Sequence, residues 1–344
     1  MHDAFHFDPP DIDESTSAAI AAAHWRLSGL QRRLDGERSA NTRFTTSAGR
    51  DVVLQVQSAS ERPDVIDLQT TAMQFLATTS PDLPLPRVVP TITGESIAHV
   101  DVNGSTHLAR MVTFLPGTTF DPDTPRPPST YRSIGELLGR IAATLSDFHH
   151  PAASHFMPWD LANGVIVDTD IIAGASESTR AAIDTVSDRL VDLTLTIGSL
   201  PRQIVHNDGH GGNLIHADGE PDRVAGLIDF GDLVHTVRAA DVAIIAESFA
   251  PAHEDPAGVV AAIAAGYHDH SPLSDAELDA VPELVLGRIA LGMLLVDHRA
   301  RHHPHLATGA DSTLRWLAER LERWRRLDPD AMRRRIRDGV EHPS

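Results

Sequence analysis

Cysteine is absent from this 344-residue chain. That excludes disulfides, thiolate nucleophiles, cysteine-zinc sites and iron–sulfur clusters, and it fits a reducing cytoplasm. Lysine is absent as well, so all 29 basic residues are arginine. Schiff-base lysines and the lysine of a Walker A loop are therefore excluded. Heavy use of Ala, Arg, Asp, Gly and Pro points to base composition as one contributor to this deficit. Long apolar runs are missing too. The longest near the end, Ile289–Val296, falls far short of the roughly 20 residues a membrane span needs and reads as buried helix. Met1–Glu14 is acidic and has no apolar core, so it reads as no signal peptide. Positive charge is scarce: 29 arginines face 48 acidic residues, a formal net charge of −19. That opposes binding to nucleic acid or anionic membranes; it suits solubility and a cationic small substrate. Twenty histidines invite a metal site. The spacing of His210, His216 and His235 nevertheless matches no histidine-metal motif such as H-E-x-x-H.

What is present describes a globular chain. Hydrophobic residues make up 41% and charged residues 22%, and at about 150 residues per domain two lobes are expected. Residues 1–25 read as an N-terminal extension with a helix at Ser15–Trp25, capped by Ser15 or Thr16. Residues 26–115 read as an antiparallel sheet with one embedded helix. Its strands fall around Leu27–Leu34, Thr42–Thr46, Val52–Gln57, Val89–Ile92, Ile97–Val102 and His107–Phe114. Asp35–Asn41 is a polar turn, and Ser47–Arg50 and Asn103-Gly104 are hairpin turns. Pro63–Thr78 is the helix, with Val65, Leu68, Ala72, Phe75 and Leu76 on one face. Pro81–Pro90 is a proline-rich connection. Leu115-Pro116-Gly117-Thr118 breaks the pattern and marks the lobe boundary. Residues 116–344 are mainly helical, at Tyr131–Phe148, Thr179–Ile197, Asp241–Phe249, Ala257–Tyr267, Ala276–His298 and Ser312–Arg326. Short strands interrupt them at Gln203–Val205, Asn213–His216 and Arg223–Asp229. The class is α+β, with a ligand expected at the junction of the lobes.

The stretch that carries chemistry is His206-Asn207-Asp208-Gly209-His210-Gly211-Gly212-Asn213, followed by Ile228-Asp229-Phe230-Gly231-Asp232. It reads H-x-D-x-x-x-x-N, then D-F-G about twenty residues after the first Asp, which is the layout of a phosphoryl-transfer site. In that layout Asp208 accepts or orients the proton of a substrate hydroxyl. Asn213 reaches a Mg²⁺ ion, and a β-hairpin returns the chain so that Asp229 coordinates the same metal. A carboxylate and an amide, with phosphates, form a hard oxygen set that suits magnesium rather than zinc. His206 reads as a structural residue of the loop. His210 either contacts the acceptor or is a solvent-exposed loop residue. Asp232 either neutralises a substrate amine or holds the loop. Asp241, ahead of an apolar helix, reads as an N-cap. The arginine-rich tail Arg315–Arg337 reads as a solvated helix face with i, i+4 ion pairs.

These motifs make the chain resemble the aminoglycoside phosphotransferase (choline-kinase-like) family of small-molecule kinases, and within it the hydroxylysine kinase branch. Supporting stretches are Leu34–Asn41, Asp64–Gln69, Arg110–Gly117, Trp159-Asp160-Leu161, and Asp229–Asp232 followed by Asp241-Val242-Ala243. The resemblance implies a protein-kinase-like bilobal fold, with a small antiparallel-sheet N-lobe carrying one helix and a larger, mainly helical C-lobe. It implies ATP or GTP as co-substrate with Mg²⁺, Asp208 as catalytic base, and Asn213 and Asp229 as metal ligands. It further implies that the Asp35–Asn41 turn, with Gly36, Arg38, Ser39 and Asn41, covers the nucleotide phosphates. Backbone groups of Val112–Leu115, including Thr113 and Leu115, would meet the purine. Trp159 would border the acceptor or serve as a core anchor. The acceptor would be a small, amine-bearing alcohol, such as a hydroxylated amino acid or an aminoglycoside-like antibiotic.

One position departs from the family. Val52-Val53-Leu54-Gln55-Val56 carries Gln55 where relatives carry a phosphate-binding lysine, and Asp67 stands where its helix partner is expected. A lysine–carboxylate pair positions the α- and β-phosphates in kinases. Three accounts are open. An arginine (Arg38, Arg43 or Arg110) supplies the charge from elsewhere; Mg²⁺ and loop amides suffice for a slow enzyme; or the chain is a nucleotide- or ligand-binding relative with little catalysis.

Overall fold

A computed structural model describes residues 9–36, 38–46 and 49–342. Glu37 of the expected phosphate loop, Ser47-Ala48 of the expected hairpin turn and the first eight residues lie outside the described residues. The chain divides into two compact units. One runs through Pro116 and includes His150–Ala152; the other holds Gly117–His149 and everything from Ala153 onward.

The first unit opens with helix α1 (Glu14–Trp25). Its cap is Asp13, one residue before the helix, whose carboxylate accepts the Thr16 N–H at 2.7 Å. The expected caps Ser15 and Thr16 therefore lie inside the first turn. Strands β1 (Gly29–Leu34), β2 (Ser39–Thr46) and β3 (Asp51–Gln57) follow, then helix α2 (Pro63–Thr79) and strands β4 (Val88–Val89), β5 (Ala98–Val102) and β6 (Ser105–Thr113). All pairings are antiparallel, in the order β1-β2-β3-β6-β4 with β5 also on β6. Alternation decides which side chains face inward: Ala40 and Phe44 on β2 and Ala98, Val100 and Val102 on β5 are buried beside Trp25, Leu54 and Met111. The Asn103-Gly104 turn has both residues left-handed, at φ 53° and 82°, the geometry for which Asn-Gly is favoured in two-residue hairpins.

The second unit begins with β7 (Thr118–Thr119) and helix α3 (Pro128–Leu145). A short helix α4 (Thr169–Gly174) follows, and where one helix was expected over Thr179–Ile197 the chain forms two, α5 (Glu177–Asp184) and α6 (Ser187–Ile197). The break falls at Thr185-Val186, where Val186 leaves helical geometry at φ −128°, a position where two successive β-branched residues lower helix propensity. Strands β8 (Arg202–Val205), β9 (Leu214–Ala217), β10 (Glu220–Leu227) and β11 (Val234–Val237) precede helices α7 (Ala239–Phe249), α8 (Pro256–His268), α9 (Asp275–His302), α10 (Ala310–Arg325) and α11 (Pro329–Glu341). β11, absent from the sequence reading, pairs antiparallel with β8. Helices α3 and α8 cross closely: a Cβ on Gly266 would lie 2.1 Å from the Arg132 carbonyl oxygen, so only glycine fits there.

The arginine-rich tail is not simply a solvated face. Arg320 is 3% exposed, donating to the Glu247 and Ser248 carbonyls and to Asp123. Arg333 and Arg337 reach across to Glu283 and Asp279 on α9. The i, i+4 pairing expected along the helix does occur, between Glu322 and Arg326.

Candidate active site

The loop after β8 is built on buried polar anchors. His206 and Asn207 are fully buried. Asn207 takes a left-handed backbone at φ 64°, which asparagine tolerates better than most residues. Asp241 on α7 accepts the Asn207 N–H at 2.8 Å and the His206 N–H at 3.4 Å. It is therefore not the expected N-cap: α7 starts after Arg238, and Asp241 faces the loop instead. Burial pushes its pKa up to about 6, against the pull of those two N–H donors. Two turns along α7, Ser248 accepts the Gly211 N–H at 3.0 Å.

These anchors present Asp208. The Asn213 amide donates to Asp208 Oδ2 at 2.8 Å and to its carbonyl oxygen at 2.9 Å. Arg288 on α9 donates to the other carboxylate oxygen at 3.3 Å. Arg288 also donates to the Trp159 carbonyl at 3.1 Å and stacks 4.7 Å from the centre of the half-buried Trp159 ring. The His210 ring lies 3.7 Å from Asp208 Oδ2 and accepts the Gly212 N–H at 3.0 Å, so it faces the carboxylate while bracing the loop. His206 holds the loop from behind. Its Nδ1 accepts the Asp208 N–H at 3.3 Å, and Phe230 packs edge-on at 4.8 Å. Burial lowers its pKa to about 4, outweighing the Asp229 charge and the Ile228 backbone, so the imidazole is neutral near pH 7.

The β9–β10 hairpin returns the chain to the same place. Leu214 pairs with Leu227, and the Ile228 N–H donates to the Asn213 carbonyl at 2.9 Å. Asp229 follows at once, with a left-handed backbone at φ 62° and a carboxylate that accepts the Gly231 N–H at 3.0 Å. It is exposed. The Asn213 amide nitrogen is engaged with Asp208, so its oxygen is the group left to meet a cation. An amide oxygen and an exposed carboxylate, brought adjacent by the hairpin, fit a hard divalent cation completed by phosphate and water oxygens. Asp232, by contrast, is buried, at 7% exposed.

In the sheet unit, Leu34 pairs with Asn41, so β1 and β2 close the turn between them. Asn41 donates to the Asp35 carbonyl at 3.1 Å and accepts from Ser39 at 2.8 Å. A Cβ on Gly36 would lie 2.3 Å from the Ser39 carbonyl, so this tight turn requires glycine. Arg38 lies 3.9 Å from Glu61, and Arg43 pairs with Asp51 and stacks on Phe114. Register then singles out the third arginine. Arg110 on β6 lies directly opposite Gln55 on β3, and its Nε donates to Gln55 Oε1 at 2.8 Å. Arg110 also reaches Thr70 on α2 at 3.4 Å. Asp67 does not join them. It is exposed and bonds His150 at 3.1 Å, because the helical period turns Ile66 and Thr70 toward the sheet and Asp67 outward. Thr113 bonds Arg87 through backbone and hydroxyl, and Phe114 donates to Asp51; the Leu115 backbone has no hydrogen bond among the described residues.

Sequence reasoning missed Arg288 and the anchoring role of Asp241. The available signal was a charged residue inside an otherwise apolar helical run: Arg288 within Leu284–Leu295, Asp241 within Ala239–Ala246. Such a residue needs a buried partner.

A model of the phosphotransferase enzyme family matches residues 30–284. Hydroxylysine kinase of Bos taurus is 25% identical over 77% of this chain and 74% of its own length. That of Danio rerio is 26% identical over 90% and 91%. Among solved structures, an amicoumacin kinase in complex with AMP-PNP and Ca²⁺ superposes with a TM-score of 0.72 at 17% identity, over 93% of this chain and 97% of that one. A microcompartment-associated aminopropanol kinase gives 0.72 at 20% identity, over 90% and 97%. This likeness shows the fold to be that of protein-kinase-like small-molecule kinases. Among the described residues, no helix is long and apolar enough to cross a membrane.

Proposed function

The chain belongs to the phosphotransferase enzyme family, and from that premise we propose that it moves the γ-phosphoryl group of ATP or GTP to the hydroxyl of a small amine-bearing alcohol, with Asp208 as base. It is a small-molecule kinase acting on a hydroxyl group. The observation that carries the finer reading is the Asn213 amide bound to Asp208 at 2.8 Å, with Asp229 returned beside Asn213 by the hairpin.

Asp208 receives the acceptor O–H proton as the oxygen–phosphorus bond forms and the nucleoside diphosphate leaves. Asn213 and Arg288 hold the two carboxylate oxygens, fixing the plane in which the acceptor hydroxyl is met. His206 stays neutral and positions the loop. Asn213 and Asp229 would hold Mg²⁺, which when bound neutralises phosphate charge and orients the transferred group. Arg110, next to Gln55, takes over the phosphate-directed charge that relatives place on lysine. Gly36, Arg38, Ser39 and Asn41 form the phosphate loop, and Leu115 offers its unpaired backbone to the base.

The test is thermal stabilisation by ATP or GTP with and without Mg²⁺, followed by phosphate transfer to hydroxylysine, aminopropanol and aminoglycosides. Mg²⁺-dependent stabilisation with turnover of at least one amino alcohol is expected. Stabilisation with no turnover on any acceptor would favour a ligand-binding relative, the reading that Gln55 alone suggests.

A further inference from the structure

Asp160 is 7% exposed and stands between Trp159 and a single 3₁₀ turn, Leu161–Asn163. Its Oδ1 caps that turn by accepting the Ala162 N–H at 2.9 Å, and it also accepts the hydroxyl of Thr236 on β11. Thr236 is fully buried. Hydrogen bonds to a buried carboxylate are among the strong ones, so this pair is a stiff tether between segments 76 residues apart. Burial raises the Asp160 pKa, and the Thr236 hydroxyl and the Ala162 N–H pull against that rise. The rest of the loop is braced as well. The Asp160 N–H donates to the Met157 carbonyl at 3.0 Å, and Asn163 Oδ1 accepts the Val165 N–H at 2.9 Å.

The tether joins two loops that meet at Arg288. Thr236 lies opposite Gln203 and Val234 opposite Val205, and β8 runs from there straight into His206 and the Asp208 loop. β11 therefore holds the Asp208 loop through its ladder and the Trp159 loop through Thr236. Arg288, 8% exposed, closes the frame: Nη1 donates to the Trp159 carbonyl at 3.1 Å and Nη2 to Asp208 Oδ1 at 3.3 Å. A guanidinium presents its donors as a rigid planar fork. Displacing the Trp159 carbonyl turns that fork and carries the second donor away from Asp208.

We infer that Asp160 and Thr236 are positioning residues: their hydrogen bond fixes the Trp159 carbonyl on which Arg288 is braced, and through Arg288 the plane of the Asp208 carboxylate. This rests on the phosphotransfer reading above and extends it to two residues that do not touch Asp208.

The test is a double-mutant cycle with Thr236→Val, which keeps shape and removes the hydroxyl, and Arg288→Met. Thr236→Val alone should lower kcat about tenfold, with nucleotide KM within twofold of wild type. Thr236→Ser, which restores the hydroxyl, should recover at least about half of the wild-type kcat. In the Arg288→Met background Thr236→Val should cost less than about twofold more, because the route to Asp208 is already cut. An unchanged kcat in folded Thr236→Val, or losses that multiply in the double variant, would make the tether a staple of the fold alone and overturn the inference. Should Thr236→Val not fold, Asp160→Asn, a weaker acceptor of the same shape, takes its place in the cycle with about a threefold loss expected. Crystal structures of wild type and Thr236→Val separate the two readings. If wild type phosphorylates none of hydroxylysine, aminopropanol and the aminoglycosides, the phosphotransfer reading fails. A lost Arg288–Asp208 contact in the variant then still supports the positioning role, and a contact retained as in wild type overturns it.

Discussion

In the sheet unit the buried guanidinium of Arg110 leans on the neutral Gln55 and Thr70; in the helical unit the buried guanidinium of Arg288 leans on the carboxylate of Asp208. The two arginines are held by similar geometry and answer different demands. A charge that serves phosphates acts through a field, so it can move across one strand spacing of about 5 Å and still be useful. A base must sit within hydrogen-bond reach of the proton it takes. On the proposed reading, the sheet unit can therefore carry Gln55 where relatives carry lysine, with Arg110 opposite it. The helical unit spends Asp241, Ser248, Asn213 and Arg288 on keeping one carboxylate in place.

The sharpest way to break this contrast is at Asp208. Asp208→Ala should cut kcat by about 10³-fold, within the range for general-base loss, with nucleotide affinity nearly unchanged. Steady-state kinetics with separate nucleotide titration checks it, and a loss below tenfold would remove Asp208 from the chemistry. Arg288→Met keeps the stem that packs on Trp159 and removes the donor. A loss of about 10²-fold in kcat is expected from a loosened carboxylate, with the larger share in kcat rather than in nucleotide KM. Arg110→Gln should raise nucleotide KM about tenfold, the value of one charge-assisted contact of roughly 1.5 kcal/mol. Gln55→Lys in the wild-type background should gain nothing, since it sets an ammonium beside a guanidinium. If Gln55→Lys tightens nucleotide binding and Arg110→Gln does not weaken it, the charge has not moved to Arg110.

The smallest effect on activity concerns pH. Asp241 has its pKa raised by burial to about 6 in the fold, against an ordinary 3.8. The folded state binds the extra proton, so this contribution is fully present below pH 3.8 and is lost as pH rises through about 6. His206, lowered to about 4 from 6.5, has the opposite sign: its contribution is present above pH 6.5 and lost as pH falls through about 4. Across the shared window the two oppose each other. Asp241→Asn should leave the His206 effect exposed, making stability fall more steeply on acidification by up to about 3 kcal/mol. Chemical denaturation between pH 4 and 7 measures it; parallel profiles for variant and wild type would refute the opposition.

Much of the fold was legible because it is local. Alternation in Ala98–Val102, the Asn103-Gly104 turn and the spacing of Val65, Leu68 and Ala72 each declare an element within a few residues. Breaks and edges were harder. Thr185-Val186 splits an apparently continuous helix, and β11 is too short to show a pattern apart from its partner β8.

Most strands and long helices, and the loop-and-hairpin pattern from His206 to Asp229, could be read along the chain, because periodicity and motif spacing are properties of neighbouring residues. Tertiary structure alone decided that Arg110 stands opposite Gln55, that Asp67 turns away to His150, that Asp241 serves the loop rather than its own helix, and that Arg288 reaches Asp208 from 80 residues downstream. Each of these is a buried polar or charged contact whose partner is set by strand register or helix packing, and a charge in an apolar run announces only that it needs a partner, not which one.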